Sequence, residues 1–324
     1  GALCATAGRQ ARSSTPEAMV PWLSKDRIRR LRHWVPVLSL WAGMAVVYGA
    51  VASQALGGRD GPWWAAAGAG YNALALLLIV SLLRTMLSDP GRVPPSWQVA
   101  QAGDRPPLHT VERKRDHSYR VCSRTLPPTY KPDRAHYDAR LSRLVLRMDH
   151  HCPWVANAVG AANHKWFLLS VAYGTLLALL SAGLLLPEVV RLVRAGLEPT
   201  PSLLLTLAAF TLCAAVAPSL VAFASLHAWL LAHNLTTIEW LEKRHALGGA
   251  AGRRSPYDLG PWANVCAVLG PNPWLWPLPV GGPGGPDHGL TFPTAPGVTD
   301  APGGIWGEGT TGRPGGGGGG TPMV

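Results

Sequence analysis

Residues 61–83 read GPWWAAAGAGYNALALLLIVSLL. The stretch holds no Asp, Glu, Lys or Arg and has almost no polar stripe. A helix packed into a soluble core keeps one polar face, so a helix that is apolar all round at this length points to lipid. About 20 such residues cross the hydrocarbon layer, where every backbone polar group must bond within its own segment. Three further stretches free of the same four residue types are as long: Val35–Gly58, Trp166–Leu186 and one from about Leu203 to Leu231. Pro218 falls inside the last and is expected to kink it without ending it. Four buried helices of a large soluble protein are the competing interpretation, and the missing polar stripe weighs against it.

The composition agrees. Of 324 residues, 48% are hydrophobic and only 15% charged, against about 25% charged in an ordinary soluble chain. In so apolar a chain, a net charge of +11 suggests cytoplasmic membrane flanks rather than a nucleic-acid partner. Basic residues precede the first span (Lys25, Arg27, Arg29, Arg30, Arg32), crowd the region from Arg84 to Lys165, and follow the last span (Lys243, Arg244, Arg253, Arg254). The two short links carry Arg59 beside Asp60, and Arg191 and Arg194 offset by Glu188 and Glu198. The positive-inside rule therefore predicts that both termini and the central segment are cytosolic. The five cysteines, Cys4, Cys122, Cys152, Cys213 and Cys266, lie too far apart for a disulfide framework. No cleavable signal sequence is evident, and Met19 is a candidate natural start.

Six regions are expected: an N-terminal cytosolic segment (1–33), two spans (34–86), a cytosolic catalytic domain (87–165), two more spans (166–233), a cytosolic C-terminal segment (234–280), and a disordered Gly/Pro-rich tail (281–324). The chemistry sits in the third, in Met148-Asp149-His150-His151-Cys152-Pro153-Trp154. A cysteine is nucleophilic as its thiolate, a nearby imidazole can take its proton, and a carboxylate can orient that imidazole. Asp149, His150 and Cys152 supply the three groups, provided a turn, which Pro153 favours, brings them together. A metal half-site and a solvated polar turn remain open on these residues alone.

The surrounding residues resemble the DHHC protein S-acyltransferases, the palmitoyltransferases of eukaryotic membranes. The matching block runs Lys131-Pro132-Asp133-Arg134-Ala135-His136, then Leu144 to Trp154, then Asn157, Val159-Gly160, Asn163 and Lys165-Trp166-Phe167. Asn234-Leu235-Thr236-Thr237-Ile238-Glu239 matches the family's T-T-x-E motif, and Tyr257 with Asn264 its C-terminal Tyr/Asn element. The fold implied is an all-α membrane protein with four transmembrane helices and a cytosolic, largely irregular DHHC domain between spans 2 and 3. The activity implied is acyl transfer from acyl-CoA to cysteine thiols of membrane-associated proteins at the lipid bilayer, in a Golgi, ER or plasma membrane. Cys152 would carry the acyl group, His150 act as base and then acid, and Asp149 orient it. Lys131, Arg134, His136 and Lys165 are expected either to contact the phosphates of acyl-CoA or to anchor the interface, with Trp154 also at the substrate. His151, Thr236, Thr237, Glu239, Tyr257 and Asn264 are expected as structural support, and Thr236 with Glu239 also reads as a capping box.

One departure is large. The resemblance implies two zinc ions held by six Cys and two His, but only His151 and, in an uncertain register, Cys122 persist. Thr125, Tyr137, Asp138, Leu141, Leu144 and Ala158 occupy the other positions. Neither tetrahedral site can be assembled, so no metal and no cofactor beyond the acyl-CoA co-substrate is expected, with an apolar cluster of Tyr137, Leu141, Leu144, Val145 and Leu146 in place of the ions. The ligand losses also admit a catalytically weak relative that binds acyl-CoA or clients as a scaffold. A small transporter would need polar groups inside the spans, where only His227 and His233 near the end of the fourth qualify.

Overall fold

A computed structural model of the chain describes residues 25–56, 61–95, 97, 110–114, 116, 118–196, 200–246, 255–281 and 289–295. The apolar stretches fold as long helices: α1 (Lys25–Ala50), which runs on into a π-helical turn at Val51–Leu56, α2 (Pro62–Leu87), α3 (His164–Arg194) and α4 (Pro201–Ala232). Their membrane-length portions are His33–Gln54, Pro62–Leu87, His164–Arg194 and Pro201–Ala232, with mean hydropathies of 1.8 to 2.1. α3 packs against both α2 and α4, and α1 packs against α4. Large apolar side chains such as Leu38, Leu76 and Leu204 face outward, as a lipid-facing surface requires. Among the described residues, polar ties inside the bundle include the Tyr71 to Ser181 hydroxyl pair at 3.0 Å between α2 and α3.

Two boundaries differ from the sequence reading. α3 does not stop at Leu186; it continues through Pro187 to Arg194. Proline removes one N–H and leaves the rest of the ladder available, and the Glu188–Arg191 ion pair, three residues apart, closes the exposed end. α4 begins at Pro201, behind a Thr200 cap whose hydroxyl accepts the Leu203 N–H at 3.1 Å. As expected, Pro218 does not end it.

Among the described residues, the central domain is irregular chain punctuated by three antiparallel hairpins: β1 (Val121–Cys122) with β2 (Thr129–Tyr130), β3 (His136–Asp138) with β4 (Arg143–Val145), and β5 (His150–Cys152) with β6 (Asn157–Val159). The third is bolted to the end of α2. Asn157 Nδ2 donates to the carbonyls of Thr85 (3.0 Å), Met86 (3.3 Å) and Ser88 (2.9 Å), which have no partners further along the helix. Gly160 lets β6 pass under the chain leaving α2. A Cβ there would lie 2.5 Å from the Pro90 carbonyl oxygen and 2.6 Å from Val145. After α4 come α5 (Thr237–Ala246) and α6 (Pro261–Leu269), and α6 packs on α4. The expected start at Met19, Cys4, Arg253, Arg254 and most of the expected tail lie outside the described residues.

Candidate active site

Side chains alternate across a strand, so β5 presents His150 and Cys152 on one face and His151 on the other. His150 Nδ1 lies 2.6 Å from Asp149 Oδ2. A carboxylate only accepts, so Nδ1 carries the proton and Nε2 is left for Cys152, with which His150 is also hydrogen-bonded. Burial pulls the imidazole down. The hydrogen bonds to Asp149 and Cys152 and their charges outweigh it, and the His150 pKa is raised from 6.5 to about 9. Asp149 is fully buried. Burial alone would raise it, but the His150 hydrogen bond and the neighbouring imidazoles hold it well below the usual carboxylate range. Its oxygens also accept the Thr237 N–H (2.8 Å) and the Thr237 hydroxyl (2.9 Å). Thr237 opens α5, so the carboxylate sits at a helix N-terminus, the end that favours an anion.

The T-T-x-E segment caps α5 and bonds to Asp149 beside the β5 strand. Thr236 N–H donates to Glu239 Oε2 (2.9 Å) and Glu239 N–H to the Thr236 hydroxyl (3.2 Å), a reciprocal capping box. Glu239 also pairs with Arg134, whose Nε is 2.6 Å from Oε1 and whose Nη2 is 2.9 Å from Oε2. Arg134 is 1% exposed. Its remaining donors reach the side-chain and backbone oxygens of Asn234, both at 2.9 Å, and Tyr257 lies over the guanidinium at 4.5 Å. Arg134, Arg147 and Asn234 all take left-handed backbone conformations (φ 60, 43 and 47). Such residues cost about 1–3 kcal/mol each and persist where their surroundings fix them, as these hydrogen bonds do. Asn264 Nδ2 ties the C-terminal segment to the end of α4 through the Ala232 carbonyl (2.8 Å).

The expected phosphate contacts separate. Lys131 and His136 line an open pocket of about 370 Å³ together with Arg124, Cys122, Tyr137 and Met148. Burial, then Arg120 and Lys131, lower the His136 pKa to about 3, so it is a neutral hydrogen-bonding group. Arg134 is enclosed by Glu239 and Asn234. Lys165 is 2% exposed, its ammonium directed to the carbonyls of Leu275 and Val280, both at 2.9 Å. Neither faces an open anion site. Trp154 is half exposed beside Cys152. Cys152 itself packs in one apolar cluster with Leu82, Val155, Phe167 and Tyr173.

Three residues escaped the sequence reading as site residues. Arg147 Nη1 is 2.7 Å from His164 Nδ1. His164 and His227 gather at Asp149, their ligand-type atoms within 4.8 Å of one another, and His227 also meets the His150 and Phe167 rings. Asp149, His164 and His227 lie close enough together to hold a metal ion, but one nitrogen of His164 is already engaged. Arg147 can only donate, so it occupies Nδ1 of His164 and leaves the proton on Nε2. The signal available was a histidine at the foot of an apolar span, by default a functional pointer.

The eight positions where the resemblance implies zinc do not fit two ions. Leu141, Leu144 and Ala158 bring no donor atom. Leu144, Leu146 and Cys122 join an apolar cluster with Val93, Trp97 and Ala161, against which Tyr130 and Tyr137 pack. Val145, Met148 and Ala158 form a second, with Leu141 and Ile238 on its edge. The Thr125 hydroxyl is bonded to the Cys122 carbonyl at 2.9 Å.

Comparison with known proteins places these features. Residues 116–244 match the family described as DHHC palmitoyltransferase. The chain is 33% identical to probable protein S-acyltransferase 15 of Arabidopsis thaliana over 230 residues, 68% of this chain and 86% of that one. Probable protein S-acyltransferase 14 of the same plant is 33% identical over 225 residues, 64% and 70% of the two chains. Palmitoyltransferase ZDHHC15A of Danio rerio is 36% identical over 163 residues, 50% and 48%. With the Asp149–His150–Cys152 strand, the Thr237 clamp and four apolar helices in the family's order, the chain belongs to the DHHC palmitoyltransferases, a family of multi-pass membrane protein S-acyltransferases.

Proposed function

We propose that this enzyme moves a long-chain acyl group from acyl-CoA to protein cysteines through an acyl-Cys152 intermediate. Cys152 passes its proton to His150 Nε2 and its sulfur attacks the thioester carbonyl. The tetrahedral species collapses, the bond to CoA sulfur breaks, and the CoA thiolate takes the proton from His150. A substrate cysteine then gives its proton to His150 and attacks the acyl-Cys152 carbonyl, and Cys152 leaves and is reprotonated. Asp149 orients the imidazole and balances its charge throughout. The observation that carries this reading is the 2.6 Å hydrogen bond from His150 to buried Asp149, on a strand that turns His150 and Cys152 to the same side.

The apolar cluster around Cys152 supports delivery from the bilayer, since each buried methylene contributes about 0.8 kcal/mol. The Lys131, His136 and Arg124 pocket supports docking of the CoA phosphates; Trp154 flanks the thioester. Arg134, Lys165, His151, Thr236, Thr237, Glu239, Tyr257 and Asn264 support the geometry. The termini and the DHHC domain are cytosolic, the membrane is that of the Golgi or ER, and catalysis proceeds without zinc. Acyl-biotin exchange after incubation with palmitoyl-CoA tests the intermediate: the wild type carries a thioester and Cys152→Ser carries none. A thioester signal unchanged in that variant overturns the assignment.

A further inference from the structure

Asp138, at the end of β3, is 2% exposed, and both its oxygens are occupied. Oδ1 accepts the backbone N–H groups of Arg140 (2.7 Å) and Leu141 (2.9 Å), closing the turn into β4. Oδ2 lies 2.7 Å from Nδ1 of His151 on the neighbouring hairpin. Burial disfavours the charge on Asp138, yet the Leu141 N–H and the His151 hydrogen bond hold its carboxyl below the ordinary value. An ionised carboxylate has no proton to give, so His151 Nδ1–H is the donor. The same turn also reaches α1, because Arg140 Nη1 donates to His33 Nδ1 at 2.8 Å.

The two partners stand at informative positions. The resemblance implies a zinc-binding Cys at 138 and a zinc-binding His at 151, and the chain puts Asp opposite His. Positions whose side chains lie 2.7 Å apart are near enough to share one ion; here they touch directly. The Asp138 side chain is 1% and the His151 side chain 15% exposed, and a hydrogen bond of such low exposure is strengthened by the low local dielectric. His151 lies between His150 and Cys152 and points to the opposite face of β5, so whatever holds its ring fixes the orientation in which the other face presents base and nucleophile. A misplacement of about 1 Å in such a pair is costly to rate.

We infer that the Asp138–His151 hydrogen bond replaces a metal cross-link between β3 and β5, and that Asp138 is thereby a positioning residue for acyl transfer. The inference rests on the acyl-transfer reading of Cys152. It is tested on the purified full-length protein with Asp138→Ala, His151→Ala, their combination and Asp138→Asn, by the rate and palmitoyl-CoA KM of Cys152 acylation, together with zinc analysis of the wild type. Each alanine variant is expected to lower kcat by about 10- to 100-fold with KM changed by about twofold or less. The double variant falls no further than either single, because both remove one interaction. Asp138→Asn recovers most of the rate, since the amide oxygen keeps the turn and its NH₂ donates to Nδ1 of the other imidazole tautomer. The wild type contains well under one zinc per chain and is unaffected by a chelator. Independent losses that multiply in the double variant, an Asp138→Ala protein at wild-type kcat, or stoichiometric zinc removed together with activity would each overturn the inference. Should Asp138→Ala not fold, a folded but inactive Asp138→Asn protein has the same force. A folded wild type that forms no thioester defeats the acyl-transfer reading instead.

Discussion

The hairpin that carries Cys152 and the two hairpins that precede it are held by different balances of charge and apolar packing. Around β5 and the start of α5 the interior is charged: Asp149, Glu239, Arg134, Arg147 and Asn234 are all buried and joined by directed hydrogen bonds. Around β1 to β4 a larger share of it is apolar, with Cys122, Leu144 and Leu146 packed on Trp97 and Ala161 beside the buried Arg120–Glu112 pair and Asp138. The difference follows from what each region must supply. A metal that only holds loops together contributes stability, and buried apolar area is an interchangeable source of it, about 1.5–3 kcal/mol per large side chain. Orientation is not interchangeable in this way, because a base must meet a sulfur at one angle and distance. So one region has been rebuilt from unrelated residue types while the other keeps its residues, and the Asp138–His151 bond marks the border, where a directional tie was still needed.

The largest effect is expected on the charged side. Asp149→Asn should slow Cys152 acylation by about 10²- to 10⁴-fold, the range for a positioned acid–base group that loses its orienter. The pH profile gives the sign. His150 sits at about 9, above its ordinary 6.5, so it keeps its proton until the pH rises through about 9; as the base that takes the Cys152 proton it must first lose its own, so the rising limb of the rate lies there. Asp149 raises that value whereas burial lowers it, so removing the charge moves the limb down toward 6.5. A limb unmoved in the Asp149→Asn rate profile would show that another group titrates.

Next comes the ion pair under the site. Arg134→Met leaves Glu239 buried opposite an apolar chain, and unfolding should be easier by about 3–5 kcal/mol. Adding Glu239→Gln should return part of that loss, because no uncompensated carboxylate remains. Thermal unfolding of the three proteins in one detergent decides it. Equal stability for Arg134→Met and the wild type would mean that the charged side is not held together by this pair.

The division between the two regions also explains what could be seen in the sequence. The spans were legible because lipid leaves an all-round apolar signature, and their ends were not, since a proline such as Pro187 looks like a stop until packing carries the helix past it. The proposed nucleophile, base and orienter stand as neighbours in Asp149-His150-His151-Cys152, and the capping box was legible as Thr236 and Glu239 three residues apart. The partners of Arg134 were not: Glu239 is far along the chain, and a basic residue near a membrane reads as an anion contact until its burial is known. His164 and His227 were missed for the same reason, since only the packing of α3 against α4 brings them to Asp149. Leu141 and Leu144 could be read as metal ligands lost, and their apolar replacement was expected. The compensation at Asp138 and His151 could not be read, because hydrogen-bond partners on separate hairpins have no common spacing.

The smallest effect is expected where apolar packing occupies positions at which the resemblance implies zinc ligands. Leu144 is 4% exposed, and truncating a buried leucine to alanine costs about 2–5 kcal/mol. The neighbouring Tyr130 and Tyr137 are only partly buried, so they can close on the gap, and Leu144→Ala should fall near the lower end, about 2 kcal/mol. No directed bond to β5 is lost, so the folded variant should acylate Cys152 within about twofold of the wild type, in contrast to Asp149→Asn. Unfolding measured alongside acylation separates the two quantities. If Leu144→Ala slows acylation as strongly as it loosens the fold, the apolar side also sets the aim of the nucleophile, and the contrast between the two regions fails.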